Sequence, residues 1–239
     1  MLRRPQADDP VWLRELTEVS ADIESGDLTS LQAPAGNVAR QAAVLLLFGE
    51  VAVDGEDAAE TRPTGPAPPR PHVLLLERAH DMRSHAGQVA FPGGAQDPED
   101  ADSVAAALRE AHEETGLDLS GVDVVAELPL LWLPPTNFEV TPVVAYWRAP
   151  SAVHVVDPAE TASVHTVPVD MLMNSENRVT IRHLSGHRSP AFLLDNLVVW
   201  GFTAGVLARL MALVGWELPW DKSRVVDLPA ELAKTRNDS

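Results

Sequence analysis

Three carboxylates crowd into one short stretch, Arg109-Glu110-Ala111-His112-Glu113-Glu114-Thr115-Gly116-Leu117. On a helix, at about 100° per residue, Glu110, Glu113 and Glu114 are related by i, i+3 and i+4 and share one face. Their mutual repulsion costs about a few tenths of a kcal/mol per pair in solvent, and more when water is excluded. A divalent cation reverses the sign of that cost. Oxygen-only ligands favour a hard ion, Mg²⁺ or Mn²⁺. A solvated acidic helix face would have the same composition, but two neighbours favour a metal site. Arg109 lies four residues before Glu113 and can hold that carboxylate in place. Gly93-Gly94 lies just upstream, where the carbonyl of Gly94 can approach a metal with no side chain in the way.

The elements that must position these groups read as follows. Asp97 to Ser103 supplies acidic and capping residues for the helix start, and Gly116 suits its C-terminal cap. Val104, Leu108, Ala111 and Thr115 form the stripe expected to pack on a sheet. Residues 40–48 read as a strand, and their continuous apolar run, 42–47, predicts that it is covered on both faces. Further strands are expected at 72–78, 88–91, 122–128 and 140–147, with a strand or short helix at 160–167. Helices are expected over 11–23 and near 200–214. Residues 54–71 are a Pro-rich, exposed loop between two strands. Strands mixed with helices predict an α/β domain, a mixed β-sheet sandwiched between α-helices. The division is an N-terminal extension (1–36), a main domain (37–216) and a polar C-terminal tail (217–239).

Composition narrows the function. The chain has 239 residues, 18 basic against 35 acidic, for a net charge of −17. That balance opposes binding to nucleic acid or to anionic membranes. There is no cysteine, which removes disulfides, zinc-thiolate sites and a cysteine nucleophile and fits a cytoplasmic protein. No apolar segment follows Met1-Leu2-Arg3-Arg4-Pro5-Gln6, so no signal peptide is expected. The apolar stretch 197–216 carries Arg209 and three glycines and reads as a buried helix rather than a membrane span.

The stretch from Gly94 to Leu117 resembles the Nudix box, a Gly followed at fixed spacing by Arg-Glu-apolar-x-Glu-Glu-x-Gly-apolar. Arg109 to Leu117 matches every fixed position. The front departs: Ala101 stands where the pattern has an acid eight residues before the Arg, and the Gly-to-Arg distance is one residue longer. Asp100 or Asp102 is the stand-in for that acid. Upstream, Leu74-Leu75-Leu76-Glu77-Arg78-Ala79-His80-Asp81-Met82-Arg83-Ser84-His85-Ala86-Gly87-Gln88-Val89-Ala90-Phe91-Pro92-Gly93-Gly94 is similar to the signature of Nudix hydrolases that cleave coenzyme A. Leu76 replaces a Thr of that signature, and the longer box loop is usual in the subfamily. Val140-Thr141-Pro142-Val143-Val144 and Trp200-Gly201-Phe202-Thr203-Ala204 also look like this group.

The resemblance implies the Nudix fold and hydrolysis of a phosphoanhydride joined to a nucleoside. For coenzyme A the products are adenosine 3′,5′-bisphosphate and 4′-phosphopantetheine. Cations on Glu110 and Glu114, with Glu113 as a further ligand or the base, would offset substrate charge that a −17 protein repels. Arg109 would orient the carboxylates. Glu160, where the subfamily often has an acid, is a base from outside the box, and Glu139 is a weaker candidate. Arg78 and Arg83 are expected to contact substrate phosphates, and His85 to reach substrate. His165, His183 and His187 read as structural or exposed. ADP-ribose, NADH or a nucleoside triphosphate is the alternative substrate, and a homodimer one expected assembly. A nucleotide-sensing regulator on this fold would need a degraded carboxylate cluster and a basic DNA-binding domain, neither of which the sequence has.

Overall fold

The apolar run 42–47 lies at the centre of a mixed sheet, in β1 (Arg40–Gly49). It runs parallel to β7 (Phe138–Trp147) and antiparallel to β2 (His72–Arg78). Side chains alternate across a strand, so Ala43, Leu45 and Leu47 enter one core while Leu46 and Phe48 enter the other. Burial on both faces is why the run shows no polar alternation. The structure, a computed structural model, describes residues 2–50, 71–82, 85–134, 136–183, 185–229 and 232.

The sheet runs β3 (Val89–Ala90), β2, β1, β7, β5 (Val122–Glu127). β4 (Gly93–Ala95) adds to β1, β6 (Leu131–Leu133) to β7, and β8 (Thr161–Pro168) to β2. On one face lies α3 (Ser103–Thr115), whose Ala106, Ala107 and Ala111 pack on Leu45, Leu47 and Val143. On the other lie α1 (Val11–Ser20), the short α2 (Ser25–Leu28) and α4 (Val169–Met173), and α5 (Gly201–Leu213). The expected sheet between helices is thus the fold found, with the segment expected as strand or short helix forming the strand β8 (Thr161–Pro168).

The segment ahead of β1 is built into the core. Trp12, Leu13 and Leu16 of α1 are at most 3% exposed, each contributing roughly 1.5–3 kcal/mol by leaving water. The stretch read as a polar tail differs from expectation. Its β12 (Val225–Asp227) pairs in parallel with β9 (Arg178–Arg182) in a second sheet, ordered β11 (Leu197–Val199), β10 (Arg188–Leu194), β9, β12. A three-residue strand shows no periodicity for sequence reading to find. Of the Pro-rich segment, residues 54–70 lie outside the described residues. Pro71 is buried rather than exposed, immediately before β2, and its carbonyl accepts the Val169 N–H at 2.9 Å. Among the described residues no helix is long and apolar enough to cross a membrane; the glycine-interrupted 197–216 stretch becomes β11 and the core helix α5.

Candidate active site

α3 begins and ends as its sequence requires. Asp102 caps it by accepting the Ala105 N–H at 2.8 Å, and Gly116 closes it in the left-handed region at φ +67°. The buried face, however, includes Glu114. Its residue is 8% exposed, and its carboxylate accepts the Gly93 N–H at 2.9 Å. Glu110 abuts the next residue: a Cβ on Gly94 would lie 2.5 Å from the Glu110 carboxylate carbon. Gly93 itself sits at φ +154°, pressed on the backbone of β1, so both glycines are required.

The three carboxylates therefore divide. Glu110 and Glu114 converge on the Gly93–Gly94 corner, whereas the Glu113 side chain is 56% exposed and bonds to Arg109 at 3.0 Å. The same Arg109 nitrogen, Nη1, also holds Glu110 at 3.0 Å. Among the described residues no three His, Asp or Glu side chains close round one point. The expected single face is split because Glu114, one residue past Glu113, is turned 100° toward the sheet.

Arg109 is fixed from behind. Its Nε and Nη2 donate to the two oxygens of Asp100 at 3.0 and 2.9 Å, and Nη2 also reaches the Ala95 carbonyl. Of the two candidates for the missing acid, Asp100 makes the bidentate bond and Asp102 is the helix cap. Arg109 holds the Asp100 carboxyl below its usual range. Asp100→Asn is expected to cut Mg²⁺ affinity or turnover by roughly 10–100-fold, the usual effect of removing a partner that orients ligands. Asp102→Ala is expected to leave both unchanged and cost about 1 kcal/mol of stability. Metal titration and thermal melts of the two variants check this; the opposite pattern assigns the role to Asp102.

Burial pushes Glu114 up to about 7, against the Gly93 N–H and the field of Arg78, with Glu110 and Glu160 adding to the rise. Burial also raises Glu110, opposed chiefly by Arg109. Two shielded carboxylates beside a glycine corner fit a hard dication, with backbone oxygen and water completing its shell. Those pairings also locate two residues from outside the box. Arg78 ends β2 on the Glu114 side. Its Nε is buried without a hydrogen-bond partner, and among the described residues its side chain makes no ion pair. Glu160 has an exposed side chain and is held by its carbonyl, which accepts the Ala79 N–H at 2.9 Å.

The other expected residues that the structure describes are engaged with neighbours of their own. His85 Nδ1 is 3.0 Å from Gln88 Oε1, on backbone at φ +57°. Arg83 lies outside the described residues. Glu139 accepts a bond from Gln41 at 2.8 Å. His165 Nε2 meets the Ser163 hydroxyl at 2.7 Å, and His183 Nε2 the Ser189 hydroxyl at 2.9 Å. The Gly93 N–H was missed as a donor to Glu114; Pro92-Gly93-Gly94 signals a tight corner but not which of its groups points to the helix.

Residues 66–184 match the NUDIX domain family. The Nudix hydrolases NudL of Cronobacter sakazakii and of Escherichia coli K12, both described as uncharacterized, are 39% and 37% identical to this chain over 150 residues, which is 62% of this chain and 77% of theirs. The crystal structure of the Nudix hydrolase RenU from M. smegmatis aligns with 74% of this chain and 86% of its own, at 23% identity and a TM-score of 0.46. With the domain match and this identity across three quarters of its relatives, the chain belongs to the Nudix hydrolase family.

Proposed function

We propose that the chain is a diphosphatase that hydrolyses coenzyme A or its derivatives to adenosine 3′,5′-bisphosphate and 4′-phosphopantetheine, with Mg²⁺ or Mn²⁺ held by Glu110, Glu114 and the Gly94 carbonyl. The observation that carries it is Arg78. This residue of the coenzyme A-type signature is a part-buried guanidinium with an unpartnered Nε, close enough to influence Glu114. In a chain of net charge −17, a cation that makes no ion pair among the described residues is suited to an anionic group of a ligand.

A dication, when bound, supplies positive charge against the diphosphate and acidity to a nearby water. The residues do the rest by position and charge. Arg109, anchored on Asp100, keeps Glu110 turned to the corner. The Gly93 N–H fixes Glu114. Glu113, on the same Arg109 nitrogen as Glu110, is a further ligand once it leaves that nitrogen. Arg78 takes a phosphoryl oxygen of the substrate, and Arg83 and His85, from the same sequence signature, are further substrate contacts. Glu160 accepts the proton of the attacking water as the new phosphorus–oxygen bond forms and the anhydride bond breaks, the leaving phosphate keeping the electron pair. A cytoplasmic setting is part of the reading, since a chain without cysteine needs no oxidising compartment.

The test is turnover of coenzyme A, ADP-ribose, NADH and a nucleoside triphosphate with each metal, with products resolved by HPLC. Coenzyme A is expected to have the highest kcat/KM. Equal or faster cleavage of ADP-ribose transfers the reading to that substrate.

A further inference from the structure

Among the described residues, two buried polar atoms on neighbouring strands beside the site lack hydrogen-bond partners. One is Nε of Arg78; the other is Oγ1 of Thr161, a residue only 1% exposed. The two residues are cross-strand partners of β2 and β8, at the one place where that ladder slips: Glu77 pairs with Ser163, Arg78 with Thr161, and Ala162 is the extra residue. Cross-strand partners carry their side chains on the same face, with Cβ atoms about 5 Å apart, and bulges re-aim side chains near active sites. The backbone here is pinned on both strands, Thr161 N–H to the Asp157 carbonyl and Ala79 N–H to that of Glu160, each at 2.9 Å. A buried hydroxyl with no partner destabilises the fold, and valine would fill the same volume without that cost.

We propose that Thr161 is a positioning residue for Arg78. With a diphosphate in the site, the guanidinium turns so that Nε–H donates to Thr161 Oγ1, which directs both terminal nitrogens to phosphoryl oxygens. This rests on the reading of Arg78 as a phosphate-binding residue.

The test is a double-mutant cycle in the full chain with Mg²⁺, on coenzyme A, or on ADP-ribose where the wild type cleaves that faster. Thr161→Val is expected to raise KM about tenfold, the value of one hydrogen bond to a charged group, with kcat within about twofold and the melting temperature not lowered. Thr161→Ser is expected to restore KM. In an Arg78→Ala background, Thr161→Val is expected to add nothing. An unchanged KM in Thr161→Val overturns the inference, and so does the same increment with Arg78 absent. Should Arg78→Ala alone leave KM unchanged, the phosphate-binding reading fails and the positioning role with it. A raised KM in Arg78→Ala beside a neutral Thr161→Val removes only the positioning role.

Discussion

Glu114→Gln is expected to lower kcat by about two to three orders of magnitude, the loss seen when a preorganised electrostatic group is removed, while the metal-free protein at pH 8 becomes more stable. The substitution keeps shape and an oxygen able to accept the Gly93 N–H, a bond of 2.9 Å in the native protein, so the corner is retained. What it removes is the negative charge. In the absence of metal that charge is a burden, because Glu114 is shielded from water and beside Glu110; uncharged Gln relieves it. Glu113→Gln is expected to lose less than about tenfold, because that side chain is largely in solvent and shared with Arg109. Circular dichroism, melts in chelator and steady-state kinetics of both variants check the pair. Turnover near wild type in Glu114→Gln removes Glu114 from the ligand set.

The opposite signs of those two effects, on rate and on stability, follow from a helix whose pattern was only half legible. The period of 3.6 puts three glutamates on adjoining positions, but it does not say where the sheet's edge falls across that face. Glu114 lies under the Gly93 corner and Glu113 outside it, a division set by the packing of Ala107 and Ala111 on β1 rather than by the glutamates. Long elements with strong patterns, such as 40–49 and 201–213, were read within a few residues. The strands of the second sheet were not. β9 and β12 are held by pairing between residues some 45 positions apart, and in so short a strand the local sequence records the partner poorly. Likewise, the choice between Asp100 and Asp102 depended on whether the loop before α3 folds back on Arg109, which spacing alone does not reveal.

Metal affinity is expected to rise about tenfold per pH unit below 7 and to level off above it, and the stability of the metal-free protein to move the other way. In the folded chain Glu114 titrates at about 7, against 4.5 for an ordinary Glu. The folded state thus keeps a proton that the unfolded chain releases. The associated stability is fully present below about 4.5, declines as pH rises through 7, and its total amounts to about 3 kcal/mol. Glu110, also raised by burial, acts in the same direction. Asp100 has the opposite sign. Held low by Arg109, it favours the fold at neutral pH and loses that effect only in acid, outside the window in which Glu114 titrates. Metal binding requires the ionised carboxylate and releases its proton, so Mg²⁺ should raise the melting temperature more at pH 8 than at pH 6. In chelator the melting temperature should fall between about pH 5 and pH 8, by several degrees for a chain of this size, and Glu114→Gln should flatten that fall. A flat profile in the wild type, or the same slope in the variant, would mean that Glu114 is not the group whose proton a cation displaces.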